Sequence, residues 1–320
     1  MAFQFHADND LCLTASLCDH LTTVPAYNEE NRLPTMLDET LGYLLRRASP
    51  AAAAAANAPA APGAPTGERF SFEVIVVDDG SRDGTVAVAE EYARRAEATK
   101  GLPRGALRVL RLSRNGGKGA AVRRGALATR GKLLLMADAD GATAVADLAK
   151  LERDLYRALR ERALEDERAG RGAADAGVVG AVDVGSRLGV AVGSRAHLQG
   201  KALAERKAHR NLLMHAFHFL VQRCSGTTIR DTQCGFKLFT RRAATCLFAN
   251  QRLTRWGFDV ELLYIAKQLG IPVAESPVRW VEMPGSKLNI LGMLHTGLEV
   301  MAIPLAYSTR MWQVRLPPET

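Results

Sequence analysis

The stretch FEVIVVDDGSRDGT, residues 72–85, starts as an apolar run, stops at two aspartates and then turns through glycine. So short a run of β-branched residues, ended by turn formers, predicts a buried strand over 72–77. Helical spacing resumes over 83–98. A strand follows at 107–112, a helix at 118–129 and another strand at 132–137. Alternation at this spacing predicts an α/β fold, a mostly parallel sheet with crossover helices, in which ligands gather at the carboxyl ends of the strands. Upstream, Leu33, Leu37, Leu41, Leu44 and Leu45 recur at helical spacing, with Pro34 in the first turn of the helix they define.

The chain of 320 residues is 47% hydrophobic and 24% charged, enough to bury a full core and unlike a disordered or fibrous protein. Its net charge of +8 suits an anionic partner, such as a phosphate-rich ligand or a membrane surface. Without zinc-finger spacing or a basic arm with interleaved aromatics, a nucleic-acid partner is not expected. Cys12, Cys18, Cys224, Cys234 and Cys246 form an odd set with no C-x-x-C pair, which fits a reducing, cytosol-facing location. The first twenty residues carry Asp8, Asp10 and Asp19 and do not read as a secretory signal. No stretch reaches the roughly eighteen apolar residues a span requires, so membrane contact is expected to be interfacial.

The expected layout is an atypical segment over 1–20, a catalytic domain over 21–287 and a membrane-interface segment over 288–320. Two surface insertions interrupt the domain. One is the alanine- and proline-rich run 48–66, the other spans about 164–189 after a charge-dense helix at 147–167. Apolar stretches at 211–222 and 288–309, the second interrupted by Glu299, are expected to form interfacial amphipathic helices. His215, His218 and His295 fall on helix faces and are not expected to be ligands. The first strand, read over 19–24, is short and polar and is expected to pair poorly.

Chemistry-bearing motifs fall at the predicted strand ends. In PAYNEE, residues 25–30, Tyr27 offers a flat face and Glu29 an acceptor, while Asp79 can accept from a base N–H, the outline of a nucleoside pocket. RNGGKG, residues 114–119, opens a helix where backbone N–H groups and Lys118 can meet phosphate. In DADG, Asp138 and Asp140 bracket one residue, a spacing suited to Mg2+ or Mn2+ bridging a diphosphate. Arg230, Asp231, Gln233 and Lys237 crowd TTIRDTQCGFKLF, residues 227–239, and read as site-lining, with Cys234 a small buried hydrophobe. The tetrapeptide VGSR occurs twice, ending at Arg187 and Arg195, and the second copy is preferred.

Taken together, PAYNEE, VIVVDDGSRDGT, RNGGKG, MADADGAT, VGSRAHL, IRDTQCGFKLF, RWGFDVELLYIA and the late Gly285-Ser286-Lys287-Leu288 resemble the dolichyl-phosphate beta-glucosyltransferase family, inverting transferases among the polyprenyl-phosphate sugar transferases. The likeness runs from about 25 to 288, the insertions excepted. It implies a GT-A (Rossmann-like) fold, UDP-glucose as donor, dolichyl phosphate as acceptor, a divalent metal, and work for protein N-glycosylation on the cytosolic face of the endoplasmic reticulum membrane. Carried over by motif, Pro25, Tyr27, Glu29, Val77 and Asp79 bind the nucleoside, with Lys118 and Lys287 beside the nucleotide sugar. Asp138, Ala139 and Asp140 take the diphosphate and metal, and Arg195, Arg230 and Lys237 the acceptor phosphate. Asp140, Asp231, Arg195 and Lys237 are the expected catalytic group, Asp231 orienting Arg230 or Lys237 or touching the sugar. A GDP-mannose-dependent mannosyltransferase and an inactive membrane-associated homologue are the alternatives.

Overall fold

The computed structural model describes residues 18–49, 70–128, 130–170, 184–198, 220–283 and 290–316. Lys287, His215, His218, Cys12, most of 211–222, most of the first insertion and half of the second lie outside the described residues. The elements run β1 (His20–Ala26), α1 (Leu33–Ala48), β2 (Phe72–Asp78), α2 (Thr85–Lys100), β3 (Leu107–Arg111), α3 (Lys118–Leu127), β4 (Leu133–Ala137) and α4 (Leu148–Arg168). After these come β5 (Val190–Ser194), β6 (Phe236–Thr240), α5 (Arg241–Asn250), α6 (Phe258–Gln268), β7 (Val273–Pro277) and α7 (Ile290–Ser308).

Seven strands form one sheet in the order β3-β2-β1-β4-β6-β5-β7. All neighbours are parallel except at β6, which runs against both β4 and β5. The mostly parallel sheet read from the alternation is what forms. Successive strand residues point to opposite faces, so Val74 and Val76 enter one core beside α1, α2 and α4, while Ile75 and Val77 enter the other beside α3, α5 and α6. In α1, Leu33, Leu37, Leu41 and Leu44 are wholly buried. Each contributes about 1.5–3 kcal/mol by leaving water.

The first strand corrects the expectation of poor pairing. β1 lies inside the sheet and pairs with β2 along all seven of its residues, from His20 opposite Phe72 to Ala26 opposite Asp78, with β4 on its other side. Ladder hydrogen bonds come from the backbone, and Thr22 and Thr23 are β-branched residues that tolerate the pleat; both are buried. His20, also buried, meets Glu152 of α4 at 2.9 Å, and Arg47 joins the same carboxylate at 2.8 Å. Of the polar side chains that made the strand look weak, His20 is thus partnered from the α1 and α4 face, whereas the Thr23 hydroxyl is buried without a hydrogen-bond partner.

The helices flanking the expected insertions form as read. α1 continues to Ala48, with Arg46 and Arg47 in its last turn. α4 runs to Arg168, matching the charge-dense helix expected over 147–167, with the 3.0 Å pair Arg162–Asp166 in its final turns.

The strand directions put the ends of β1, β2, β3, β4, β5 and β7 on one edge of the sheet. Because β6 is antiparallel, the segment entering it, ending at Gly235, reaches that same edge. The PAYNEE, DDGS, RNGGKG and DADG motifs, Arg195 and the Asp231–Gly235 segment therefore converge there, whereas Lys237 lies within β6 itself.

Candidate active site

The loops after β1 and β2 are knitted together. Asn28 takes a left-handed conformation, φ 53°, and donates its N–H to Ser81 Oγ at 2.9 Å, while Arg82 N donates to Asn28 Oδ1 at 2.9 Å. Glu29 N donates to Thr85 Oγ1 at 2.7 Å, and Gly84 N to Glu30 Oε2 at 2.7 Å. This holds half-buried Tyr27 at the edge beside Asp79. Glu29 is committed elsewhere: Arg32 donates to both of its oxygens at 2.7 Å. Pro25 and Val77 sit opposite one another in the β1–β2 ladder, and the Val77 side chain packs into the core, so its part at the nucleoside would fall to its backbone.

Asp79 accepts the N–H groups of Gly116 at 2.7 Å and Gly117 at 2.8 Å. Burial raises its pKa, the two backbone bonds pull it back, and the net direction is upward. The carboxylate thus fixes the glycine turn. That turn differs in part from the expected phosphate cradle, because the N–H groups of Gly116, Gly117, Gly119 and Ala120 are already used within the protein. Gly119 N donates to the Arg255 carbonyl at 3.2 Å and Ala120 N to that of Thr254 at 3.0 Å. Gly80, at φ 71°, passes so close that a Cβ there would lie 2.8 Å from the backbone of Arg114 and Asn115. The Lys118 side chain carries the turn's positive charge toward the site.

Lys118 Nζ lies 2.7 Å from Asp138 Oδ1 and 5.4 Å from the centre of the Trp256 ring. Burial acts to lower its pKa, but Asp138, Asp259 and Asp140 outweigh it and hold the amine charged. Asp138 and Asp140 follow β4, half-buried at its carboxyl end, while Ala139 between them is packed into the core. Asp140 Oδ1 accepts the N–H of Ala142 at 3.0 Å. The Asp138 carboxylate occupies the space beside Gly235: a Cβ on that glycine would fall 1.9 Å from Oδ2.

On the far side of Asp138, Arg195 forms a fork with Asp231, Nε to Oδ2 at 2.7 Å and NH2 to Oδ1 at 2.9 Å, and lies 5.4 Å from the Trp280 ring centre. Burial alone would raise the Asp231 pKa, but Arg195 holds it below the usual carboxylate range. Asp231 therefore orients Arg195, where orientation of Arg230 or Lys237 was expected. The strand direction also decides between the VGSR copies: β5 delivers Arg195 to the site edge and leaves Arg187 at the opposite end. Arg230 is exposed and its backbone N–H donates to Glu275.

Lys237 departs from expectation as well. It is wholly buried, donating to Asp259 Oδ1 at 2.5 Å and to the Cys234 carbonyl at 2.6 Å. So placed, it supports the segment carrying Asp231 and Gly235 and does not present its charge to an incoming phosphate. Cys234 is buried as expected, its thiol pushed up to about 11 by burial and then by Asp231. Trp256, Asp259, Trp280 and Gly235 were not singled out from the sequence. The first two lay inside the RWGFDVELLYIA motif, but nothing local revealed what they touch.

An α/β sheet with this strand order and a paired-aspartate turn at its carboxyl edge defines a glycosyltransferase of the GT-A type. Residues 23–157 match the model of glycosyl transferase family 2. The fold is shared, at 17% identity and a TM-score of 0.51, with the crystal structure of glucosyl-3-phosphoglycerate synthase from Mycobacterium tuberculosis in complex with uridine-diphosphate, over 90% of this chain and 81% of that one. More narrowly, the chain belongs to the dolichyl-phosphate beta-glucosyltransferase family. It is 44% identical to the Drosophila melanogaster member over 294 residues and 42% identical to the Homo sapiens member over 292, each alignment covering 91% of this chain and 76% of the relative.

Proposed function

We propose that this enzyme transfers glucose from UDP-glucose to dolichyl phosphate, forming dolichyl beta-D-glucosyl phosphate on the cytosolic face of the endoplasmic reticulum membrane. The carrying observation is the pair Asp138 and Asp140 at the carboxyl end of β4, with Lys118 on one side and the Arg195–Asp231 fork on the other. The names of the relatives support glucose and dolichyl phosphate. The uridine-diphosphate bound in the structural relative supports a uridine donor. Four cysteines, Cys18, Cys224, Cys234 and Cys246, are free thiols, in keeping with a reducing compartment.

A metal ion fits the donor set. The described residues contain no cluster of three or more His, Cys, Asp or Glu placed to hold an ion by themselves. Two adjacent carboxylates are what Mg2+ or Mn2+ uses when substrate diphosphate oxygens and water complete the shell. Asp138 and Asp140 would hold it, and the bound ion would neutralise charge on the departing diphosphate. Lys118, already charged and next to Asp138, contributes a second positive group toward that charge.

Interlocked loops set the nucleoside end, with Tyr27 and the Asp79-anchored turn as walls. Arg195 is held rigid by Asp231 and Trp280 and is placed to draw in and orient the acceptor phosphate. A phosphate monoester is largely ionised near pH 7, so attack on the anomeric carbon needs alignment more than a strong base. Metal-supplemented protein is expected to move radiolabelled glucose from UDP-glucose onto dolichyl phosphate. Transfer from GDP-mannose alone would overturn the assignment of donor, and full activity in Asp140→Ala would overturn that of the site.

A further inference from the structure

α7 packs one face on the catalytic domain and leaves the other bare. On the inner face Val300 and Ile303 are buried in a cluster with Val260 of α6 and Val221, and Tyr264 packs against it. Polar ties fix the helix further: Gly257 N donates to Glu299 Oε2 at 2.8 Å, and Tyr307 OH donates to Glu261 Oε1 at 3.0 Å. Tyr307 stacks on Tyr264 with ring centres 5.1 Å apart, and beyond the helix Arg315 and Asn250 exchange two hydrogen bonds of 2.8 and 2.7 Å. The helix is a docked part of the domain and not a loose tail.

On the outer face Leu294, Leu298, Met301 and Leu305 are 60%, 62%, 45% and 64% exposed. Their spacing of four, three and four residues draws one apolar stripe along the helix. Beyond the helix Met311 and Leu316 are also exposed, at 77% and 66%. These six are among only nine large hydrophobics exposed in the described residues, so the exposure is concentrated here and not scattered as on an ordinary surface. Charge follows the same division. From 290 to 316 the only acid is Glu299, turned inward onto Gly257, whereas His295, Arg310 and Arg315 are exposed. No helix among the described residues is long and apolar enough to cross a membrane.

We propose that the outer stripe of α7 lies in the surface of a lipid bilayer, apolar side chains among the acyl chains and Arg310 and Arg315 among anionic headgroups. An apolar face bordered by basic residues and free of outward acids is the pattern of a helix lying in the interface plane. The helix also adjoins the site. Glu299 holds Gly257, the residue after Trp256, which covers Lys118. Glu261 binds the backbone N–H groups of Arg252 and Leu253 at 3.0 and 2.7 Å. The segment so held supplies the Thr254 and Arg255 carbonyls to the start of α3. Seating α7 on a bilayer therefore brings the reacting edge of the sheet to the lipid surface, which is where a lipid phosphate must be met. That consequence rests on the proposed acceptor, whereas the docking surface itself does not.

The test uses the full chain and sedimentation with vesicles of phosphatidylcholine containing a minority of phosphatidylserine. Wild type is expected to partition onto them, more weakly without phosphatidylserine, and Leu298→Glu/Leu305→Glu to lose at least about tenfold in partition coefficient. Leu294→Ser/Leu305→Ser, a milder change, is expected to fall between, with thermal unfolding midpoints reporting that both variants fold. Undiminished binding by folded variants, or no binding by wild type, overturns the proposal. So does a wild-type dimer that dissociates in the variants, because the stripe then belongs to a second copy of the chain. Transfer to a short-chain, water-soluble polyprenyl phosphate is read separately: the variants should retain it, and its absence in wild type as well would count against the proposed reaction without touching the vesicle result.

Discussion

Gly235→Ala adds one methyl group at the most crowded point of the site. The new Cβ would fall 1.9 Å from Asp138 Oδ2, 2.3 Å from Cγ and 2.7 Å from Oδ1, against an ordinary contact of at least 3.4 Å. Either the Asp138 carboxylate withdraws by about 1.5 Å or the strand entry of β6 gives way. Strand entry is the stiffer of the two, since Phe236 is buried and paired with Ala137 in the ladder. Asp138 is therefore expected to move, leaving Lys118 at 2.7 Å and losing its place next to Asp140. A displacement of about 1 Å at reacting groups costs on the order of a hundredfold in rate. The expected result is a fall of roughly two orders of magnitude in kcat/KM for glucose transfer, a weaker Mn2+ requirement curve, and a stability loss of only about 1–3 kcal/mol. Radiolabelled transfer, read beside a thermal melt, measures both. A folded variant with wild-type kcat/KM would refute the reasoning, because it would show that the position of Asp138 against Gly235 does not matter to the reaction.

Two further changes test the flanking charges. Lys118→Met keeps the stem against Trp256 but removes a charge-assisted bond worth about 1.5–3 kcal/mol. UDP-glucose should bind roughly ten- to a hundredfold more weakly by calorimetry, while Mn2+ without nucleotide should bind more tightly, the lysine no longer competing for Asp138. Asp231→Asn should unfold more readily at neutral pH, by about 2–4 kcal/mol, because Arg195 is left with a neutral partner. The sign with pH follows from the depressed Asp231 pKa: its contribution is full above the unfolded carboxylate value of about 3.9 and is lost as the pH falls through the lower folded value. Denaturant titrations should thus show the gap between wild type and variant closing in acid, and a gap independent of pH would contradict the ion pair.

Much of this could be read locally. The strands β2, β3 and β4 announce themselves by short apolar runs, and α1 by its leucine spacing, because burial on a fixed geometry writes a period into the chain. The position of Asp138 and Asp140 at the carboxyl end of β4 was legible too, because they follow directly on its apolar run. β1 was misread because Thr22 and Thr23 look solvated until β2 and β4 are known to enclose them. The destination of Lys237 was hidden by its partner Asp259, 22 residues further on and on another element. Asp79 likewise reads as an acceptor for a base. Only the fold shows that Gly116 and Gly117, 37 and 38 residues away, occupy it first. Trp256 and Trp280 act through ring faces laid over Lys118 and Arg195, contacts that no spacing encodes.

Pairing among these charges bears on why a metal would be required. Lys118 is matched by Asp138, Arg195 by Asp231 and Lys237 by Asp259, whereas Asp140 receives only the backbone N–H of Ala142 among the contacts described. Among these seven groups, three ammonium or guanidinium groups thus stand against four carboxylates, a balance negative by one charge. A diphosphate approaching them meets cations already committed to acids, beside an acid without a counter-charge, at a partly dehydrated surface where repulsion is poorly screened. A divalent cation between Asp138 and Asp140 turns that balance positive by one and releases Lys118 toward phosphate. Nucleotide binding should then depend on the metal from the start, before any chemistry: calorimetry should show UDP binding with Mn2+ and little or none after chelation. Asp140→Asn, which removes the unmatched charge, should recover part of the metal-free binding while leaving transfer impaired. If UDP bound equally well with and without metal in the wild type, the paired cations would have to be freer than their 2.5–2.7 Å contacts allow.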